Sequence, residues 1–158
     1  MKTRSTACLV LSVSGCLGVG ILESLVTRPE IPTWYASLAK PSWTPPPLAF
    51  PIVWTALYLL NGHMLLEALE REPGAQARSR AMVLFVVQLA LNAAWSPVFF
   101  GWHDTVSALV IIMALLPAIG ATIMFASRVD RVAAWLLTPY LAWVAYASTI
   151  NAGVVILN

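Results

Sequence analysis

Apolar residues fill five long stretches of this chain, and short polar segments separate them. The stretches lie at about 5–27, 48–69, 81–102, 105–126 and 132–157. A helix needs about 20 predominantly apolar residues to cross a bilayer, and each stretch is long enough to do so. The pattern therefore predicts an all-α membrane protein in which residues 1–158 form one bundle of five transmembrane helices.

Composition supports this class of protein. Hydrophobic residues make up 59% of the chain and charged residues 10%, with a mean hydropathy of +0.80. In soluble domains about a quarter of the residues are charged. The net charge of +2 comes with no basic run, so no nucleic-acid partner is predicted. Cys8 and Cys16, about 12 Å apart along a helix, are too distant for a disulfide bond.

The first apolar stretch has two interpretations. A basic start and small residues before Cys16 resemble a lipoprotein signal peptide with a processing site. The apolar character continues past Cys16 to Val26, however, with Glu23 as the only charge. This continuation favours a membrane span that is retained in the protein.

An unusual segment lies between the first two stretches and runs into the second, from Trp34 to Tyr58. It holds three of the seven tryptophans and five of the eleven prolines, and Lys40 is its only charge. Its prolines oppose a regular helix before about Leu48, whereas Pro51 is compatible with a first helical turn. Disordered linkers are poor in aromatic residues, so this composition predicts a stiff Trp/Pro-rich loop that caps the bundle.

Aromatic and amide side chains share one face on each of three predicted spans. These faces comprise Trp54, Tyr58 and Asn61; Gln88, Asn92, Trp95 and Phe99, with Trp102 at the end; and Tyr140, Trp143, Ala147 and Asn151. Amides are costly in hydrocarbon unless they find partners, so the faces should point inward. One such face is usually core packing, but three together favour a shared internal pocket. Pro97 should kink the third span.

Other polar residues suggest little chemistry. His63 and Glu67 have the i, i+4 spacing of half a metal site, but no second cluster of ligands completes it. An inter-helix hydrogen bond or an interfacial position is the preferred interpretation, and no metal site is predicted. Pro73 and Gly74 mark a solvated loop. The fourth stretch, 105–126, is interpreted as scaffold, and no catalytic residue is predicted from a hydrolytic pattern.

The distribution of basic residues predicts an orientation. With five spans, one side of the membrane receives seven Lys and Arg residues and the other receives Arg28 and Lys40. The larger group is Lys2, Arg4, Arg71, Arg78, Arg80, Arg128 and Arg131. If the protein lies in an inner membrane, the positive-inside rule places its N-terminus in the cytoplasm. A location in a bacterial outer membrane stays open.

Four sequence blocks resemble the signature blocks of one family. WYASLAKPSWTPP, FPIVWTALY, QLALNAAWSPVFF and PYLAWVAYASTIN are similar to those of the TspO/MBR family, the translocator proteins or tryptophan-rich sensory proteins. The resemblance covers essentially the whole chain in the same order. It implies a five-helix bundle, usually a homodimer, whose first loop closes a pocket at one end.

The resemblance also implies ligands and site residues. Family members bind porphyrins such as protoporphyrin IX and haem, sterols, and isoquinoline carboxamides, within the lipid bilayer and with no cofactor required. Carried over motif by motif, the ligand-binding residues are Trp34, Tyr35, Pro45, Trp54, Asn92, Trp95, Trp143 and Ala147. Flat aromatic ligands would stack on the indoles, and the Trp54 N–H and the Asn92 amide would bind a carbonyl or carboxylate.

Three functions follow as expectations. The preferred one is a receptor or sensor that binds porphyrin and regulates tetrapyrrole or stress metabolism. The second is a transporter of porphyrin or a sterol-like lipid, which the absence of an internal sequence repeat disfavours. The third is light-dependent porphyrin degradation, in which Trp54 and Trp143 would take part in photo-oxidation.

Overall fold

The computed structural model describes residues 2–70 and 75–158, and the side chains of 8–64, 76 and 79–158. In this part of the chain all regular structure is helical. The helices are α1 (Lys2–Glu30), α2 (Trp34–Ser37), α3 (Ala49–Glu70), α4 (Ala75–Ser96), α5 (Thr105–Ala126) and α6 (Arg131–Leu157), and a π-helical turn, Pro97–Gly101, continues α4.

Four helical segments in the described part are long and apolar enough to cross a membrane. They are Cys8–Glu30, Ser79–Gly101, Thr105–Ala126 and Arg131–Leu157. The predicted all-α membrane protein is therefore confirmed. The second predicted span, 48–69, does form a helix of 22 residues, α3, but it is not among the four, so the count of five spans stays a prediction.

The first loop is shorter than predicted because helix α1 continues to Glu30. Helix α1 ends one residue before the Ile31–Pro32 pair, where proline disfavours the α conformation of the residue that precedes it. One further helical turn, α2, comes before the proline-rich part and ends where Leu38 adopts an extended conformation. Pro51 lies in the first turn of α3, as the sequence predicted.

Pro97 interrupts the third predicted span, as expected for a proline inside a helix. The helix widens there into the π-helical turn, in which the Trp102 N–H donates to the Pro97 carbonyl at 2.9 Å. The chain reverses through His103, whose φ is 57°. Asp104 then caps α5 by accepting a hydrogen bond from the Ser107 N–H at 2.9 Å.

Helix packing closes one side of the bundle and leaves the other more open. Helix α5 packs along both α4 and α6, and small residues such as Ala108, Ala126 and Ala133 are completely buried between them. Small side chains let membrane helices approach closely. Helix α1 packs mainly against α3, which in turn contacts α6.

The proline-rich loop is fastened to helix α6. The Ala39 N–H donates to Asn158 Oδ1 at 3.0 Å, and Asn158 Nδ2 donates to the Ala39 carbonyl at 2.9 Å. The Trp43 indole N–H donates to the Thr149 hydroxyl at 3.2 Å, and the Tyr146 hydroxyl donates to the Trp43 carbonyl at 2.5 Å. These bonds fix the loop at the C-terminal end of α6.

Several minor predictions concern the end of α3, the loop after it, and the two cysteines. His63 is exposed, whereas the side chain of Glu67, four residues further along α3, lies outside the described residues, as do Pro73 and Gly74. Within the described part, no group of three potential metal ligands comes together. Cys8 and Cys16 are both free thiols.

Candidate functional site

A cavity of about 570 Å³ lies inside the bundle. Its wall is built by residues of α1, α2, α3, α4 with its π-helical turn, α5 and α6, together with Pro47 and Leu48 at the end of the first loop. The size falls within the range of about 300–1,000 Å³ that is usual for small-molecule sites.

Aromatic rings provide much of the wall. Trp54 and Tyr58 lie side by side on α3, with ring centroids 5.8 Å apart. Trp95 stacks on Phe99, with centroids 4.9 Å apart and planes inclined by 20°. Flat rings of this kind offer large contact areas to a planar apolar ligand.

A polar cluster interrupts the aromatic wall where α1, α3 and α4 meet. The Tyr58 hydroxyl donates to Glu23 Oε2 at 2.7 Å and accepts a hydrogen bond from Asn92 Nδ2 at 2.6 Å. Asn92 Nδ2 also lies 3.4 Å from Glu23 Oε1. All three residues line the cavity, so a ligand inside it would meet a carboxylate, a phenol and an amide close together.

Two indoles of the wall differ in their hydrogen bonding. The Trp95 N–H donates to Asn151 Oδ1 at 3.0 Å, and Asn151 Nδ2 donates to the Thr105 carbonyl at 3.0 Å. This chain of bonds fixes the Trp95 ring between α4 and α6. The Trp54 N–H has no hydrogen-bond partner among the described residues, so it is available to a ligand acceptor.

Five of the eight predicted site residues lie in the cavity wall. These are Tyr35, Trp54, Asn92, Trp95 and Ala147. Tyr35 comes from the short helix α2, and Lys40 Nζ lies 4.8 Å above its ring while donating to the Tyr35 carbonyl at 2.7 Å. Burial raises the pKa of the Tyr35 phenol, so the hydroxyl stays neutral at physiological pH.

Trp34, Pro45 and Trp143 do not line the cavity. Trp34 stacks on His103 with ring centroids 4.2 Å apart, which joins α2 to the turn before α5. Trp143 packs edge-on against Phe50 at 5.9 Å. Pro47, two residues after Pro45, takes the place in the wall that Pro45 was expected to fill.

The three predicted faces are only partly directed at the cavity. Phe99 and Asn151 line it, but Asn61 and Gln88 bind each other, with Gln88 Nε2 donating to Asn61 Oδ1 at 3.3 Å. Trp102, at the end of the α4 face, is 76% exposed. Residues on one predicted helix face therefore do not all line the cavity.

Sequence reasoning missed the contribution of helix α1. Glu23, Ser24, Thr27 and Arg28 all line the cavity, although none of the predicted site residues lies on α1. The available signal was Glu23 itself. A single carboxylate within an apolar span is a functional candidate, because an ionisable group is retained there at a cost.

The fold and site define a class of protein: an integral membrane helical bundle that encloses an aromatic cavity with a small polar cluster. The TspO/MBR family model matches residues 12–157, and the chain belongs to this family. The recognition made from the sequence blocks is thereby confirmed.

Named relatives cover most of the chain. It is 39% identical to the tryptophan-rich protein TspO of Chlorobaculum tepidum over 150 residues, which is 95% of each chain. It is 32% identical to the tryptophan-rich sensory protein of Cereibacter sphaeroides over 95% of this chain and 91% of the relative. The human translocator protein is 40% identical over 75% of this chain and 70% of its own.

Proposed function

We propose that this protein is a membrane receptor or sensor that binds a porphyrin such as protoporphyrin IX, or haem, in the cavity. The aromatic wall carries this proposal: Trp54 and the Trp95–Phe99 stack offer flat apolar surfaces around about 570 Å³ of space. Concave, mostly apolar pockets with few polar groups are typical of small-molecule sites. Other flat hydrophobic ligands, including isoquinoline carboxamides, would use the same wall.

Polar groups would orient the ligand. The Trp54 N–H is not hydrogen-bonded to a described residue, and Arg28 is the cationic residue of the described wall. A guanidinium forms strong, charge-assisted hydrogen bonds with carboxylates. We place the porphyrin propionates at Arg28, which is solvent-exposed, and the macrocycle between the indoles.

The proposal extends to the setting of the receptor. Membership in a family that includes a tryptophan-rich sensory protein supports a sensory role, and we assign that role to tetrapyrrole or stress metabolism because the proposed ligand is a porphyrin. The excess of Lys and Arg on one side, counted with α3 as the fifth span, favours a bacterial inner membrane. Family membership supports a homodimer as the assembly.

Quenching of tryptophan fluorescence by protoporphyrin IX tests the proposal. The purified protein in detergent should show saturable quenching, and Trp54→Phe should weaken the affinity about tenfold because it removes an indole of the wall. Trp135→Phe is the matched control, since Trp135 is 73% exposed on α6. Unsaturable quenching, or equal affinities of both variants, would contradict the proposal. Titrations in darkness and in light separate binding from photodegradation.

A further inference from the structure

Glu23 is a carboxylate without a cationic partner in the described part of the bundle. Its hydrogen-bond partners there are the Tyr58 hydroxyl at 2.7 Å and the Asn92 amide at 3.4 Å, and both partners are neutral. A carboxylate has about four lone-pair sites, so these bonds leave acceptor capacity unused. Since Glu23 lines the cavity, this capacity is open to a ligand.

The charged groups of the cavity wall lie at two positions on α1, with a carboxylate at Glu23 and a guanidinium at Arg28. They are the only charged residues in the described wall, and no ion pair joins them there. They lie five positions apart on the helix, which is about 7.5 Å along its axis. Arg28 is exposed, whereas Glu23 is half-buried beside buried Tyr58 and Asn92.

The surroundings of Glu23 favour one chemical group over others. An unpaired carboxylate in low dielectric is costly, and an ammonium placed beside it would remove this cost through a charge-assisted hydrogen bond. A ligand carboxylate at the same place would be repelled. A methyl group would leave the carboxylate unpaired.

We propose that Glu23 makes the inner part of the cavity a site for a protonated amine carried on a flat apolar ligand. This ligand class is distinct from the anionic porphyrin, whose carboxylates belong at Arg28. The inference rests on the proposed function insofar as both require that the cavity takes up flat hydrophobic molecules.

Three ligands with one aromatic body test the proposal. 1-Pyrenemethylamine, 1-methylpyrene and 1-pyrenecarboxylic acid are titrated into the protein in a non-ionic detergent, with tryptophan-to-pyrene energy transfer as the signal and protein-free micelles as the blank. The wild-type protein should bind the amine about tenfold more tightly than 1-methylpyrene, whereas the acid can place its carboxylate at Arg28 and is the comparison ligand that does not use Glu23. Equal affinities for the amine and 1-methylpyrene would overturn the proposal.

Variants of two glutamates on α1 locate the effect. Glu23→Gln should abolish the preference for the amine over 1-methylpyrene. Glu30→Gln is the control, because Glu30 pairs with His103 at 3.1 Å and does not line the cavity. A preference that survives in Glu23→Gln would overturn the proposal. Glu23→Asp retains the charge and should retain a reduced preference, which provides a second variant if Glu23→Gln does not fold.

The two proposals fail differently. If neither the pyrenes nor protoporphyrin IX bind saturably, the cavity is not a ligand site and both proposals are wrong. If protoporphyrin IX binds but the wild-type protein shows no preference for the amine, only the role of Glu23 is wrong.

Discussion

Helices α3 and α4 make two polar contacts about one turn apart, and the two have different surroundings. Tyr58 and Asn92 meet at 2.6 Å in the cavity wall, where Glu23 of α1 joins them. Asn61 and Gln88 meet at 3.3 Å, are buried and do not line the cavity. Polar contacts between the same two helices thus stabilise the bundle in one place and form a candidate site in the other.

Helix α1 accounts for the difference. Opposite Tyr58 it has Gly20, where an added Cβ would lie 2.6 Å from Tyr58 Cε2, so only glycine leaves room for the ring. One turn further along, it supplies the Glu23 carboxylate. The Tyr58–Asn92 contact is part of the cavity wall because α1 leaves room for the Tyr58 ring at Gly20 and adds the Glu23 carboxylate beside it.

Gly20→Ala should have the largest effect. The new methyl group must displace the Tyr58 ring from Glu23 and Asn92, and overpacking of this kind costs about 1–3 kcal/mol. Thermal unfolding in detergent should show this loss, together with about tenfold weaker protoporphyrin IX binding. Gly18→Ala is the control, since nothing lies within 4 Å of a Cβ at Gly18. Equal behaviour of the two variants would disprove the tight contact.

Asn61→Leu should affect stability but not binding. It removes the partner of the Gln88 Nε2 group, and an unsatisfied buried polar group costs about 1–3 kcal/mol. The double variant Asn61→Leu/Gln88→Leu should recover most of this loss, because replacing both partners with apolar groups can be nearly neutral. Thermal unfolding measures the stability of the single and the double variant, and the protoporphyrin IX affinity of both should stay unchanged. Weaker binding would mean that this pair also belongs to the site.

Asn158→Ala should loosen the first loop with a smaller loss of stability. It removes two hydrogen bonds to the Ala39 backbone that are solvent-exposed, so water can replace them and each loss should lie at the lower end of about 0.5–1.5 kcal/mol. Hydrogen exchange of the Ala39 amide should become faster. Ser127→Ala is the control, because its hydroxyl bonds only to the Met124 carbonyl of its own helix. Unchanged exchange at Ala39 would show that the other loop contacts suffice.

The smallest expected effect concerns the pH dependence of the α5 cap. Hydrogen bonding from Ser107 lowers the pKa of Asp104 below its usual value. The folded-state pKa is thus below the unfolded one, so the stabilisation is present above the unfolded pKa of about 3.9 and is lost as the pH falls through the folded pKa. The difference in melting temperature between wild type and Asp104→Asn should shrink over this acidic range. A constant difference would exclude this linkage.

The helices and most of the wall could be predicted because both depend on local patterns. Length and hydropathy located the helical segments, and a 3.6-residue period correctly grouped Tyr58 with Trp54 and Asn92 with Trp95. The period gives no information about which neighbour a face meets. Asn61 was therefore assigned to the pocket face although it binds Gln88 away from the cavity.

The contribution of α1 could not be read from periodicity, because its polar wall residues are few in an apolar helix. Trp34 was transferred by resemblance alone, and Trp143 was assigned both by resemblance and by its place on a predicted helix face. A position in a motif or on a face does not give the direction of a side chain. Both rings pack instead on aromatic residues beside the cavity, Trp143 on Phe50 and Trp34 on His103.

The most direct test of the difference between the two contacts replaces the α4 amide of each contact with leucine. Asn92→Leu and Gln88→Leu make the same chemical change four residues apart on one helix, and protoporphyrin IX affinity is measured for both by tryptophan quenching. Asn92→Leu should weaken binding about tenfold, whereas Gln88→Leu should stay within about twofold of wild type. Equal affinities in the two variants would contradict the assignment of the Tyr58–Asn92 contact to the ligand site.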